Sequence, residues 1–354
     1  MKKQSKGSSI FLTLTIVQLL LFCSFFAAHA QTGFAIIEDK AQKRIDISFN
    51  GNPFTSYIYP DDLMKPVLYP LRTTKGTLIT RGWPLDPRPG ERVDHPHHVG
   101  MWFNYGNVNG LDFWNNSTAI PADKKKNYGT IKHVAVKSAK SNKDKAELVV
   151  LKDWQAPDGK TLIKETTKYI FTQKGSQRAI EMTTQLTAQD QEVSLSDNKE
   201  GLLGIRVARE LEHPSNTPEI FTDAAGNPTP VAAMNNDKVT GLYRSSEGIQ
   251  GDNVWASRAK WVNLTAKIGE EPISLLILDN PKNVGYPTYW HARGYGLFAA
   301  NPLGQKEFSK GKEVLDYKLK AGESVEFKYK VIINSGSTLS QTEANASFSD
   351  FTAK

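Results

Sequence analysis

The chain has 354 residues, with 44 basic and 37 acidic side chains, seven histidines and one cysteine. Setting Lys2, Lys3 and Lys6 aside with an N-terminal leader leaves 41 basic against 37 acidic residues, and this mild excess, without a long basic block, excludes a nucleic-acid binder of the basic, aromatic-interleaved kind. Cys23 also lies in the leader, so the remaining 324 residues carry no disulfide and no thiolate chemistry, which suits an exported chain long enough to bury a core without covalent staples.

The leader has a basic start, an apolar run over 10–26 and an A-x-A site at Ala28, His29 and Ala30. It reads as a signal peptide spanning 1–30, followed by a single domain over 31–354 in the periplasm or outside the cell, with no membrane span after cleavage. A lipid anchor on Cys23 would need a small residue before it, and Phe22 is bulky.

From residue 34 onward the pattern is that of strands. FAIIED and RIDISFN are followed by a turn at Asn50, Gly51 and Asn52 that closes a hairpin onto FTSYIYP. PVLYPLRT and TLITRGWP read as further strands, the second ending at Pro84. KHVAVKSAKS, AELVVLKDWQ, TLIKETTKYIFTQ and RAIEMTTQLTAQD alternate apolar and polar residues between turn signals, the signature of an antiparallel meander with one buried face. VSLSD, GLLGIRVARELE, AKWVNLTAKI, PISLLILD, GYGLFAANP and SVEFKYKVIIN continue it, and LSQTEANASFSDF is the best short-helix candidate. About fifteen short strands with almost no helix predict an all-β fold, a large antiparallel β-sandwich.

Chemistry-bearing side chains crowd into residues 81–116, RGWPLDPRPGERVDHPHHVGMWFNYGNVNGLDFWNN. Pro96 forbids a central strand at that point. A strand beginning at His97 would put His98, Gly100, Trp102 and Asn104 on one face as a pocket wall. His97, Val99, Met101 and Phe103 would face the core, and Gly100 would leave ligand room between His98 and Trp102. Two chemical readings compete beside the plain one of structural histidines. His95 and His97 have the His-x-His spacing of two metal ligands, with His98 or His291 as a third. Alternatively the imidazoles transfer protons or hydrogen-bond to a polar organic substrate, and Asp94, Asn104 and Asp112 suit hydroxyl groups. The second reading is preferred. Trp102 and Trp114, with Trp83 nearby, offer flat faces to a sugar ring unless they are ordinary core, and the turn at 107–110 folds Asp112 and Trp114 back onto the histidine strand.

A second concentration, PTYWHARGYGLFAANP, puts His291 and Arg293 on one strand face, with Arg293 able to bind a carboxylate or two hydroxyls. Arg206 and Arg209 in GIRVARELE and Trp255 and Arg258 in VWASRAKW lie between the two segments. There is no GxSxG, no phosphate-binding loop, no dinucleotide fingerprint and no HExxH.

DHPHHVGMWF, NVNGLDFW, GIRVARE, VWASRAKWV, LDNPKN and PTYWHARGYGLFAANP together resemble the bacterial family labelled "methane oxygenase PmoA-like", over most of the chain from about residue 69 to 331. The resemblance takes in His95, His97, His98, Trp102, Asp112, Trp114, Arg206, Trp255, His291 and Arg293. It implies an all-β supersandwich similar to the galactose mutarotase-like group. The oxygenase in the label does not suit this chain. After the leader no apolar run approaches the ~20 residues that cross a bilayer, and no glutamate follows His97 at the spacing of a cupin-type metal site.

The combined expectation is an exported carbohydrate-active protein performing acid–base chemistry, of epimerase, lyase or hydrolase type, on a sugar or sugar-derived acid. His98 is the leading acid/base, with His95 or His291 as its partner. Arg81, His97, Trp102, Asn104, Asp112, Trp114 and Arg293 would bind a small-molecule or oligosaccharide substrate. No cofactor is required, with a divalent metal at the histidine cluster left open. A non-catalytic glycan-binding protein and a His-ligated metalloprotein are the alternatives.

Overall fold

Two antiparallel sheets of eight strands each carry the chain, in a computed structural model that describes residues 32–222, 227–232 and 235–353. The expected leader, with Cys23, lies outside the described residues. The spatial order in the first sheet is Phe34–Asp39, Arg44–Phe49, Asn52–Ile58, Val67–Leu68, Met101–Tyr105, Gly201–Arg206, Leu297–Asn301 and Tyr289–Arg293. In the second it is Leu242–Ser245, Trp261–Ile268, Glu271–Asp279, Ser324–Ser335, Gln177–Ala188, Thr161–Lys174, Lys145–Gln155 and Thr130–Ser141. The all-β sandwich expected from the strand pattern is the observed architecture.

Local sequence explains much of this. Asn50 and Gly51 both take positive φ between Phe49 and Asn52, the two-residue turn that matches strand twist in a hairpin. The four alternating runs of the meander pair in sequence order, and Lys145–Gln155 shows the expected buried-every-second-residue pattern. The expected helix is Gln341–Thr352, started by Ser340, whose hydroxyl accepts from the Glu343 amide while the Glu343 carboxylate accepts from the Ser340 amide.

The sheets meet through large apolar side chains. Phe54 packs on Phe171 with ring centroids 5.6 Å apart, and Phe103 on Phe327 at 6.0 Å. Met101, Phe103 and Tyr105 enter this core, as do Leu203, Ile205, Phe298, Ala300, Trp290 and Ala292. The alternate residues of those strands therefore cover the other face of the first sheet. There the register aligns Trp102 with Gly204, Gly204 with Ala299, and Ala299 with His291, one row across four strands. The adjacent row runs from Arg206 through Leu297 to Arg293. Strand pairing thus brings residues about 190 positions apart in sequence onto one face.

Two expectations are corrected. TLITRGWP forms no strand; only isolated bridges, Arg72 to Leu78 and Thr80 to Val207, tie it to its neighbours. Prolines 70, 84, 87, 89 and 96 remove the amides a ladder would need, so the stretch between Leu68 and Met101 is an irregular excursion alongside the first sheet. Second, the strand begins at Met101 rather than His97, because His95 to His98 is a turn in which the His98 amide donates to the His95 carbonyl at 2.9 Å. Val99 consequently joins Trp102 in a small separate apolar cluster instead of facing Met101 and Phe103.

Glycine at 204 is required by this packing. A Cβ there would stand 2.5 Å from Trp102 Cζ2 and 3.0 Å from Trp114 Cη2, both on rigid buried rings. Gly204→Ala should cost about 1–3 kcal/mol of unfolding free energy through overpacking, read from a urea titration; an unchanged midpoint would contradict this account of the row.

Candidate functional site

The centre of the outward face is an ion cluster. Asp94 Oδ1 accepts from Arg81 Nη1 and from Arg206 Nη2, each at 2.5 Å, and Asp94 Oδ2 lies 2.7 Å from His95 Nδ1. Both guanidinium groups are almost entirely buried, with 1% and 0% of their side chains exposed. Burial alone would raise the Asp94 carboxyl. The His95 hydrogen bond and the charges of Arg206 and Arg81 reverse this and hold it far below the usual carboxylate range. Arg81 also donates to the carbonyl oxygens of Arg92, Asp94, His95 and His98, so that its terminal nitrogens are used up in shaping the 92–98 loop. Burial, and then the neighbouring Arg206, lower the Arg81 pKa to about 9. The substrate-orienting role expected of Arg81 is therefore replaced by a loop-forming one.

The three clustered histidines have three different environments. His98 is 1% exposed. Its Nε2 lies 3.2 Å from Trp114 Nε1, and its Nδ1 lies 3.2 Å from Arg206 Nη1. An indole and a guanidinium only donate. A neutral imidazole can satisfy one of them and a protonated one neither, so His98 is locked uncharged; burial, then His97 and Arg206, push its pKa well below the ordinary value. The leading acid/base role expected of His98 does not fit this environment. His97 is buried at the wall of a cavity, and burial followed by the charge of Lys65 pushes its pKa down to about 2. His95 alone reaches solvent, with 40% of its side chain exposed. Its backbone is in the left-handed region, φ 44°, which costs a non-glycine residue about 1 kcal/mol or more and is held here by the Arg81 bond to its carbonyl.

The aromatic rings form a continuous pile. Tyr295 stacks on His95 at 5.2 Å, His95 on His98 at 4.8 Å and His98 on Trp102 at 5.2 Å, with Trp114 edge-on to both His98 and Trp102. Trp102 and Trp114 are fully buried in this pile, so neither offers a face to a sugar. No ligand space exists between His98 and Trp102. Gly100 instead allows close approach of the neighbouring chain: a Cβ there would stand 2.3 Å from the Leu68 carbonyl oxygen.

Asn104 and Asp112 are turned inward as well. Asn104 is wholly buried and donates to the Phe113 carbonyl at 2.7 Å. Asp112 accepts from the amides of Trp114 and Asn115 and from the Asn115 side chain, shaping a turn. Among the described residues no group of three or more His, Cys, Asp or Glu side chains is placed to hold a metal ion, and no helix is long and apolar enough to cross a membrane.

His291 and Arg293 do arrive on the same sheet face. His291 is 3% exposed, its Nδ1 3.7 Å from Glu200 Oε2, and burial, then the Arg293 charge, bring its pKa to about 3. Arg293 is exposed and lies over the rings of Trp255 at 5.3 Å and Tyr295 at 5.9 Å. It lines a 380 Å³ cavity with Tyr295, Trp255, His213, Glu219 and Asp252. A second cavity, of 440 Å³, is lined by His97, Pro96, Trp83 and Lys65. His95 stands between them, next in sequence to the wall of one and stacked on the wall of the other.

Glu200, Tyr295, His213, Asp252 and Lys65 were absent from the residues singled out as a site in the sequence. Tyr295 was legible as an aromatic residue between two glycines. Glu200 and Lys65 sit in unremarkable polar stretches, and nothing local marks them.

The profile of a family of unknown function, DUF6807, matches residues 44–349. The chain belongs to that family. No curated protein matches it. Among solved structures it is similar to a galactose mutarotase-like protein from Clostridium acetobutylicum, at 14% identity over 87% of this chain and 99% of that one, with a TM-score of 0.42. A galactose 1-epimerase from Lactobacillus acidophilus gives 9% identity over 87% and 100% of the two chains, with a TM-score of 0.35. An alpha-galactosidase from Lactobacillus brevis gives 11% identity and a TM-score of 0.38 over 83% of this chain but 40% of its own length. Likenesses this distant assign no activity to the DUF6807 chain.

Replacing Asp94 by Asn would leave two buried guanidinium groups sharing no anion. The expected cost is about 3–5 kcal/mol. Because the folded pKa of Asp94 is depressed, its contribution is complete above the unfolded value of about 4 and is lost as pH falls below it. The stability gap between the wild type and Asp94→Asn, from urea titrations between pH 7 and pH 3, should therefore be constant above pH 5 and narrow by about 1 kcal/mol at pH 3, and a gap unchanged at pH 3 would refute the assignment.

Proposed function

We propose that this protein is an exported, carbohydrate-directed enzyme that transfers protons at His95. The observation that carries the reading is the Asp94–His95 pair: a carboxylate pinned by two buried arginines holds Nδ1 of the one solvent-reaching histidine in the cluster. With its N–H on Nδ1, the neutral ring presents the Nε2 lone pair as a base. Asp94 then fixes ring orientation and stabilises the imidazolium that forms, the general logic of a carboxylate–imidazole pair.

Glu200 supplies the opposite half of an acid–base couple. Burial raises its pKa, against the opposing charge of Lys199, and it lies near enough to His95 for that charge to act on it. A carboxyl whose pKa is raised and an imidazole oriented by a carboxylate are the two kinds of group with which a site both returns and removes protons. Arg293 and Trp255, with Glu219 and Asp252 across the cavity, offer a cationic fork, a flat ring and two acceptors to a polyhydroxylated ligand. The substrate class is a sugar or sugar-derived acid, and epimerisation, elimination and hydrolysis all use such a couple. A non-catalytic glycan-binding role uses the same cavity and is separated from catalysis by the test below.

The test is a screen of mono- and disaccharides and sugar acids with product detection by mass spectrometry, on wild type and His95→Asn. Asparagine tolerates positive φ and removes the imidazole without burying anything new. Turnover should fall about 10²–10⁴-fold with saccharide affinity changed far less. Unchanged turnover would eliminate His95 as the base, and saccharide binding with no product from the wild type would replace the enzyme reading by the binding one. Activity should also decline at high pH as Glu200 loses its proton, and that limb should vanish in Glu200→Gln.

A further inference from the structure

The 440 Å³ cavity beside the histidine loop holds a cation with no counter-ion. Lys65 is 4% exposed, and its Nζ donates to the His97 carbonyl at 2.7 Å. No carboxylate lies within ion-pair distance of it among the described residues. Asp112, whose charge bears on it, is already engaged by two backbone amides and the Asn115 side chain. The only other neighbour of note is the Trp102 ring, 5.4 Å away. A buried ammonium left this way is costly, because Coulomb attraction to a partner normally offsets its lost hydration.

The rest of the lining is rich in donors. Trp83 Nε1 and His97 Nε2 are buried without any hydrogen-bond partner, and Ser117 and Thr118 complete that wall. An indole nitrogen can only donate, and neutral His97 donates from Nε2 in one of its two tautomers. The acidic group in the lining, Asp62, is exposed and stands at the rim. Arg81 and Arg206 add positive charge behind His97.

We propose that this cavity binds a small organic carboxylate, whose two oxygens take the free protons of Lys65 Nζ and the N–H groups of Trp83 and His97. The volume lies in the range of small-molecule sites. The anion supplies the charge that the protein itself withholds from Lys65, and donors without partners become paired. The site is separate from the Asp94–His95 pair and stands whether or not His95 transfers protons.

A consequence in protonation follows. Burial brings the Lys65 pKa from its ordinary value down to about 7, so above pH 7 the empty site is increasingly neutral. A bound carboxylate favours the ammonium, and binding at pH 8 therefore takes up a proton. Of the other titratable groups facing the cavity, His97 is held neutral by burial, Asp112 is hydrogen-bonded, and Asp62 is at the solvent edge.

The experiment is calorimetric titration of the whole protein at pH 8 with acetate, pyruvate and glucuronate, with glucose as the uncharged control, each in two buffers of different ionisation enthalpy. At least one carboxylate should bind with net proton uptake while glucose shows none, and Lys65→Met should weaken that binding at least tenfold and abolish the uptake. The empty Lys65→Met protein should also melt higher than wild type at pH 6, with the difference shrinking as pH rises above 7. This arm confirms that the variant folds. Binding of no carboxylate, binding indifferent to Lys65→Met, or uptake of no proton by the wild type would each overturn the proposal. So would a pyruvate adduct on Lys65 made permanent by borohydride reduction, which would assign the amine to imine formation instead.

Discussion

One carboxylate between two buried guanidinium groups organises the outward face of the first sheet. Asp94 comes from an irregular loop, Arg206 from the end of a central strand, and Arg81 from earlier in the same excursion as Asp94. None of the three could be buried alone without a large desolvation cost. Together they fix where the loop lies on the sheet, because the terminal nitrogens of Arg81 also donate to four loop carbonyls. The left-handed backbone at His95 and its exposed imidazole are consequences of that anchoring.

The same cluster sorts the histidines by electrostatics. Residues within four positions of one another end in opposite roles because what surrounds each ring differs. His98 is enclosed by obligate donors and stays neutral, serving as a spacer between Trp102 and His95 in the ring pile. His97 turns to a cavity wall next to an unpaired ammonium. His95 keeps the carboxylate contact and the access to solvent. A spacing that reads as metal ligation is thereby divided among a packed spacer, a cavity wall and a solvent-reaching ring held by a carboxylate.

Sheet geometry does the remaining work. The row from Trp102 through Gly204 and Ala299 to His291 exists because four antiparallel strands share a register. The small residue at 204 in the middle of that row leaves room for the two indoles, which pack edge-on to one another, so the bulk of the aromatic side chains stabilises the platform.

The strand content, the meander, the hairpin turn at Asn50 and Gly51 and the capped terminal helix were all legible in the sequence, because alternation, turn chemistry and capping are local properties. The location of the dense segment was legible for a similar reason: its polar and aromatic residues are neighbours in the chain. What tertiary structure alone decided is which of them remain available. Burial, donor–acceptor complementarity and pKa depend on groups contributed by distant strands. Arg206 neutralises Asp94 and confronts His98, Trp114 closes on the same ring, and Lys65 loses its water and gains the His97 carbonyl but no counter-ion. The linear pattern around His97 and His98 predicts a pocket-facing strand, and the proline-rich entry with its turn at His95 to His98 overrides it. Composition along the chain can show where chemistry is concentrated, whereas the choice of the reactive group depends on charges and donors brought together across the sheet.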